Sequence, residues 1–232
     1  MIVKLLVLSG VLLSTQLSAF SSTDIQYLYG NFKGDTFMDT QQGPKHTVTL
    51  EDYRTFEYGD IYSFADYGYA PNEFLYSGEN DLYGEISPRF SLNKLTGVAA
   101  STGTVKEIYS SFQYNRGEHF RAWLYGVGCD LNVPGFSVLG LNLYRKIQNI
   151  GIDTYQLSLN YLVPLSEQWH FEGFTDWTTR DFLSQNQLLL NISPLIGLSH
   201  GRLDVGTEWH YFHENVYHNG NSVFQIMMKY SW

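Results

Sequence analysis

The last twelve residues, 221–232, constrain the fold more than any other part of the chain; they read Asn-Ser-Val-Phe-Gln-Ile-Met-Met-Lys-Tyr-Ser-Trp. Phe224, Ile226, Met228, Tyr230 and Trp232 take alternate positions, and Gln225, Lys229 and Ser231 fall between them, with Met227 the one apolar intruder. Successive side chains of a strand point to opposite faces, so this spacing predicts a strand with one apolar and one mostly polar face. It runs to the final residue and ends on two aromatics of the apolar face. A soluble sheet would have to cover such a strand with a core. A closed barrel in lipid leaves the apolar face against acyl chains and places aromatics at the interface.

The other end agrees. Met1–Lys4 is a short region with one positive charge, Leu5–Leu13 is apolar except for Ser9 and Gly10, and Leu17-Ser18-Ala19 offers a cleavage site before Phe20. This is the pattern of a secretory signal peptide over 1–19. The apolar stretch is too short to cross a bilayer as a helix, which takes about 20 residues. Residues 20–232 then form one domain, the outer-membrane barrel. Beyond Phe20 the longest clean aliphatic run is Leu188–Leu190, so no helical span is expected.

Composition separates a membrane barrel from a secreted sandwich. Aromatic residues are 16% of the chain and charged residues also only 16%, low for a soluble surface. Mean hydropathy is nevertheless −0.21, because polar lumen residues alternate with apolar lipid-facing ones. A formal net charge of −9 argues against nucleic acid as a partner, since phosphate binding needs a basic surface. Cys129 is the only cysteine, which excludes an internal disulfide and cysteine-based zinc clusters. No cofactor is expected.

Period-two segments recur near 25–33, 46–58, 61–67, 81–92, 105–115, 119–131, 136–147, 153–163, 168–179, 183–192, 201–213 and 221–232. The predicted fold is therefore all-β, a transmembrane antiparallel up-and-down β-barrel of about twelve strands. An even number puts both termini on one side. Most segments reach the roughly 9–11 residues that a tilted spanning strand needs, with 61–67 short. An Arg or Lys on the lipid face at mid-depth costs roughly 2–4 kcal/mol, so charges report the lumen. On 168–179, Trp169, Phe171 and Trp177 share one face, and His170, Glu172 and Asp176 the other. On 46–58, Asp52 and Arg54 lie with Val48, Leu50 and Phe56, opposite Glu51 and Glu57, and the faces stay unassigned. Gly59-Asp60, Val133-Pro134-Gly135 and Pro164-Leu165-Ser166 look like tight periplasmic turns. Gly34–Lys45 and Gly68–Asn80 look like extracellular loops, whereas the long Asn93–Thr104 connection would be periplasmic.

Two segments then carry a resemblance: 57–66, Glu-Tyr-Gly-Asp-Ile-Tyr-Ser-Phe-Ala-Asp, and 81–92, Asp-Leu-Tyr-Gly-Glu-Ile-Ser-Pro-Arg-Phe-Ser-Leu. A weaker third is Phe171-Glu172-Gly173-Phe174-Thr175-Asp176-Trp177. Together they resemble the Tsx/OmpK group of nucleoside-specific channel-forming proteins of the Gram-negative outer membrane. The resemblance covers most of the chain after residue 19. It implies a monomeric twelve-stranded barrel, nucleoside uptake, and use as a phage or colicin receptor. Trp232 stands where outer-membrane proteins usually end on Phe.

Candidate substrate-binding residues come from two strands. Tyr83, Glu85, Ser87, Arg89 and Ser91 share a face opposite Leu82, Ile86 and Phe90, with Pro88 on the lipid side and expected at a bulge. His119, Arg121, Trp123 and Tyr125 share a face opposite Phe120, Ala122 and Leu124. A nucleoside offers a flat base for stacking and a ribose for hydrogen bonding. Tyr83, Glu85 and Arg89, with Arg121, Trp123 and Tyr125, therefore form the expected track. The alternative for the same charges is structural: a Glu85–Arg89 pair filling a narrow barrel, and Arg121 neutralised by lumen carboxylates. Glu208, His210, His213 and Glu214 come closest to a metal set, but 213 is expected in the loop with His218, and no metal site is predicted. The expected partners are outer-membrane lipid and lipopolysaccharide, and nucleosides or similar small solutes. Alternatives to the channel are a closed structural or receptor barrel, a lipid hydrolase, for which no nucleophile motif is visible, and a soluble ligand-binding barrel.

Overall fold

The computed structural model describes residues 20–33, 42–74, 78–98, 103–216 and 219–232. The segment expected to be a signal peptide lies outside the described residues. Twelve antiparallel strands form one closed barrel: β1 (Phe20–Lys33), β2 (Gln42–Phe56), β3 (Gly59–Phe74), β4 (Gly78–Ser91), β5 (Val105–Arg116), β6 (Arg121–Leu131), β7 (Val138–Gln148), β8 (Thr154–Pro164), β9 (Trp169–Thr178), β10 (Asp181–Asn191), β11 (Arg202–Glu214) and β12 (Asn219–Ser231). Each strand pairs with its sequence neighbours, and β1 closes on β12 from Asp24↔Ser231 to Tyr29↔Ile226. The seam continues past the strand end, where Thr23 and Trp232 exchange backbone hydrogen bonds of 3.2 and 2.9 Å. Closure satisfies every edge, which a lipid environment demands.

The alternation in β12 sets the two faces. Phe224 is 71% exposed and Ile226 62%, whereas Gln225 is 4% exposed. The outer surface is a band of apolar side chains with aromatics at both margins. On β9, Trp169 marks the margin near the termini and Trp177, eight residues on, the opposite one. They are about 26 Å apart along the strand, which at a barrel tilt of roughly 35–45° spans most of the apolar band. The lumen holds little aliphatic packing; Leu28, Leu189 and Met227 form one small cluster, and Ala122, Leu124 and Tyr144 another.

Strands β1 to β4 run 14 to 16 residues, longer than a spanning strand requires. The excess lies at the end away from the termini, so the β1–β2 and β3–β4 hairpins project there, and that end is extracellular. Of the two expected extracellular loops, Gln42–Lys45, Gly68–Phe74 and Gly78–Asn80 are strand, and 34–41 and 75–77 lie outside the described residues. The short 61–67 segment becomes Gly59–Phe74, and most of its added length lies at the extracellular end. The expected turn at Gly59-Asp60 lies two residues earlier, at Glu57-Tyr58, with Gly59 already paired to Phe56 and Phe90. A Cβ at Gly59 would lie 1.9 Å from the Arg89 carbonyl oxygen, which explains the glycine.

Pro88 does not sit at a bulge. Ile61↔Pro88 keeps register with β3, and on the β5 side Ile86↔Tyr114 and Arg89↔Ser111 share one register with pairing lapsed between them. A missing N–H interrupts the ladder there without shifting it. The long periplasmic connection contains a short helix, α1 (Leu92–Thr96), capped by the Ser91 hydroxyl, which accepts from Lys94 N at 3.0 Å, and ended by Gly97 at φ 71°. A second, α2 (Ser193–Ile196), precedes β11. On β2, Glu51 points inward. Asp52 and Arg54 point outward with Val48 and Leu50, near the terminal end. They form an ion pair of 2.7 Å with Thr23 donating to Asp52 at 2.8 Å, so the pair carries its own partners at the periplasmic margin.

Candidate functional site

The inward rows of β2 to β5 build the densest site. Asp60, Tyr62, Phe64 and Asp66 alternate inward on β3, opposite Arg89, Ser87, Glu85 and Tyr83 on β4. Tyr62 and Phe64 have ring centroids 5.9 Å apart, and Phe64 and Tyr83 also 5.9 Å. These half-buried rings form a ladder along the lumen wall, close enough for weak ring contacts between steps. Carboxylates flank it. The Tyr62 hydroxyl donates to Glu51 at 2.9 Å, and the Tyr83 hydroxyl to Glu85 at 2.5 Å. Glu85 also accepts from Gln113 at 2.7 Å and Asn115 at 2.9 Å, both on β5. Three neutral donors on one carboxyl group fix its position, and among the described residues no cation is in direct contact with it.

Two cations tie the wall together. Arg89 grips Asp60 through Nε and Nη2 at 2.8 and 2.7 Å and reaches Asp130 on β6 at 2.8 Å. Its guanidinium lies 4.1 Å from the Tyr109 ring centroid, and Tyr109 donates to Asp130 at 2.9 Å. This cluster borders a cavity of about 330 Å³ at the periplasmic mouth, lined also by Tyr53, Lys94 and Lys106. Higher in the lumen Lys229 meets Glu172 at 2.8 Å, Asp24 at 3.4 Å and Glu51 at 3.6 Å. Those partners belong to β9, β1 and β2, so one ammonium links strands on either side of the seam. Gln187 and Gln225 donate to Glu208 at 2.9 and 2.8 Å. The lumen is thus narrow, hydrogen-bonded and acidic.

The structure places the expected residues in two different environments. Tyr83, Glu85 and Arg89 line the lumen, as the alternation implies. Glu85 and Arg89 are not a pair: four residues along a strand are about 13 Å apart, beyond the reach of one contact. Arg121, Trp123 and Tyr125 require a correction. Trp123 is 59% exposed on the outer surface, while Ala122 and Leu124 fill the lumen side. The register confirms it, because Ala122 opposes Asn115 and Gln148, both inward, and Trp123 opposes Tyr114 and Ile147, both outward. Period-two spacing shows which residues share a face but not which face is inside. Arg121 gave the wrong cue because it sits at the extracellular rim, where an outward arginine meets water and headgroups. His119 lies exposed in the β5–β6 turn rather than in the lumen.

His170 and His210 do face inward. Arg202 donates to His170 at 2.8 Å while gripping Asp204 at 2.7 Å. His213 is in β11 and faces outward rather than lying in a loop, and His218 lies outside the described residues. Among the described residues no cluster of His, Cys, Asp and Glu could hold a metal ion. Sequence reasoning missed Tyr62 and Phe64, although Asp60, Tyr62, Phe64 and Asp66 show the same alternation as 81–92.

Comparison with known proteins agrees with this geometry. The family described as "Nucleoside-specific channel-forming protein, Tsx" matches residues 20–194. The nucleoside-specific channel-forming protein Tsx of Salmonella typhimurium is 30% identical over 198 residues, 75% of this chain and 67% of that protein. The outer membrane protein OmpK of Vibrio parahaemolyticus is 29% identical over 143 residues, 54% of each chain. Among solved structures, the KdgM porin in complex with disordered oligogalacturonate superposes with a TM-score of 0.54 at 10% identity, covering 90% of this chain and 99% of that one, a likeness of fold. The chain is an outer-membrane channel barrel and belongs to the Tsx family of nucleoside-specific channel-forming proteins.

Proposed function

We propose that this channel passes neutral nucleosides along the Tyr62–Phe64–Tyr83 ladder. The observation that carries the reading is the spacing of that ladder between Glu51 and Glu85. A base stacks on an aromatic face with about 1–3 kcal/mol per contact, while the flanking carboxylates accept from ribose hydroxyls and exocyclic amines. Successive rings let a solute step from one weak site to the next, and a permeating solute must leave each site as readily as it enters. The acidic wall repels anions, so the neutral nucleoside passes where its phosphorylated form does not. One chain forms one pore.

The test is single-channel conductance in a planar bilayer. Nucleosides added at millimolar concentration reduce the ion current, and sugars of similar size do so far less. A pore whose current ignores every nucleoside overturns the proposal and leaves a general porin. A barrel with no current at all points to a closed receptor-type state.

A further inference from the structure

The outer face of the β5–β6 hairpin carries a cluster of cations separate from the lumen. Arg116 ends β5 and Arg121 begins β6, and the two are direct cross-strand partners. Both point outward at the extracellular rim, and both are exposed. Like charges directly opposite each other disfavour the hairpin. Neither guanidinium has a hydrogen-bond or ion-pair partner among the described residues; the turn between them also holds Glu118 and His119. On the next strand Arg145 points outward as well. Its guanidinium lies 5.2 Å from the Tyr155 ring centroid and 3.6 Å from Asp153. This concentration of cations is out of character for a chain with 23 acidic and 14 basic residues.

Directly below the arginine pair, on the membrane side of the same hairpin, the outer wall carries a groove of about 280 Å³. It is lined by Ile86, Pro88, Phe112, Tyr114, Trp123 and Tyr125. It lies where the β4–β5 pairing lapses beside Pro88, and Tyr114 and Trp123 form one wall, their ring centroids 4.3 Å apart. An apolar groove that descends from unpartnered arginines at the outer-leaflet margin has the form of a lipid site. The headgroup end demands anionic oxygens, because paired guanidiniums bind phosphate in charge-assisted, bidentate geometry. The groove demands an acyl chain.

We propose that Arg116 and Arg121, flanked by Arg145, bind the phosphates of the lipid A part of lipopolysaccharide, with one acyl chain in the Trp123–Tyr114 groove. The occupant follows from position and charge: the site opens at the extracellular margin, where the anionic amphiphile of the outer leaflet is a phosphorylated glycolipid. The surface fixes one lipid at one azimuth of the barrel and leaves the lumen untouched.

Native mass spectrometry of the detergent-solubilised full barrel, titrated with hexa-acylated lipid A, tests the site. Bisphosphorylated lipid A binds, and its dephosphorylated form binds about tenfold or more weakly, the loss of at least one charge-assisted contact. The Arg116→Gln/Arg121→Gln variant, its folding checked by heat-modifiable gel migration, loses affinity to the same extent while nucleoside block of the current is unchanged. Equal binding of dephosphorylated lipid A, which needs no variant, overturns the phosphate claim. Equal binding of phosphatidylglycerol overturns the lipid A assignment in favour of a general anionic-lipid surface. An unaltered affinity in the double variant overturns the site.

Discussion

Arg89 on β4 reaches across β5 to Asp130 on β6 at 2.8 Å while holding Asp60 on β3, so one side chain spans four strands of the wall at the periplasmic mouth. Its side chain is 13% exposed. Removing it leaves two carboxylates facing each other without their cation.

Arg89→Ala should therefore lower stability by about 1–3 kcal/mol, the penalty of stranding charged partners, and should enlarge the passage. Urea unfolding in detergent measures the first effect and single-channel conductance the second. Unchanged conductance would place the narrowest point elsewhere.

Lys229 holds Asp24, Glu51 and Glu172 within 3.6 Å. Lys229→Gln leaves three converging carboxylates and increases the negative potential of the lumen. The reversal potential in a salt gradient should shift toward stronger cation selectivity, and the shift should shrink as ionic strength rises.

The aromatic ladder and the outer tryptophan give opposite outcomes in one assay. Tyr62→Ala and Tyr83→Ala should weaken nucleoside block about tenfold each, the loss of one stacking contact. Trp123→Ala should leave block unaltered, because its ring faces lipid. Nucleoside monophosphates should block less than the nucleosides themselves. A Trp123 effect as large as that of Tyr83 would contradict the register of β6.

The faces of β12 can be tested by charge. Met228→Arg places a cation against acyl chains and should impair assembly by about 2–4 kcal/mol at mid-depth. Gln225→Arg places it beside Glu208, which already accepts from Gln225 at 2.8 Å, and should be tolerated better. Folding yield into vesicles distinguishes them, and equal yields would refute the register.

The fold was legible because lipid enforces a rule that soluble cores relax. Phe224 and Ile226 alternate with polar Gln225 because one face must meet hydrocarbon, and period-two spacing marks the twelve strands that close the barrel. The lumen was legible only in part. Tyr83, Glu85 and Arg89 were placed by charge, but their partners were not, since Asp60, Gln113, Asn115 and Asp130 come from strands whose register sequence spacing does not reveal. β6 misled because its lumen face is small and apolar at Ala122, Leu124, Gly126 and Gly128 and turns polar only at Asp130, near the periplasmic end. A Cβ at Gly128 would lie 2.1 Å from the Asn142 Oδ1 and 2.7 Å from the Ser111 Oγ. At Gly128 the neighbouring side chains supply the polarity, and from Ala122 to Gly128 the lumen face of β6 itself shows none.

The seam between Thr23 and Trp232 has a kinetic consequence. It joins the two ends of the described chain, so its contacts are the most distant in sequence that the barrel makes, and such contacts form last. Until they form, β1 and β12 each present a row of unpaired N–H and C=O groups that hydrocarbon cannot solvate. Insertion and closure must therefore proceed as one event. A proline introduced at Ile25 or Tyr230, which pair across the seam, removes a ladder hydrogen bond there and should slow closure, read as delayed appearance of the heat-modifiable folded band on a gel.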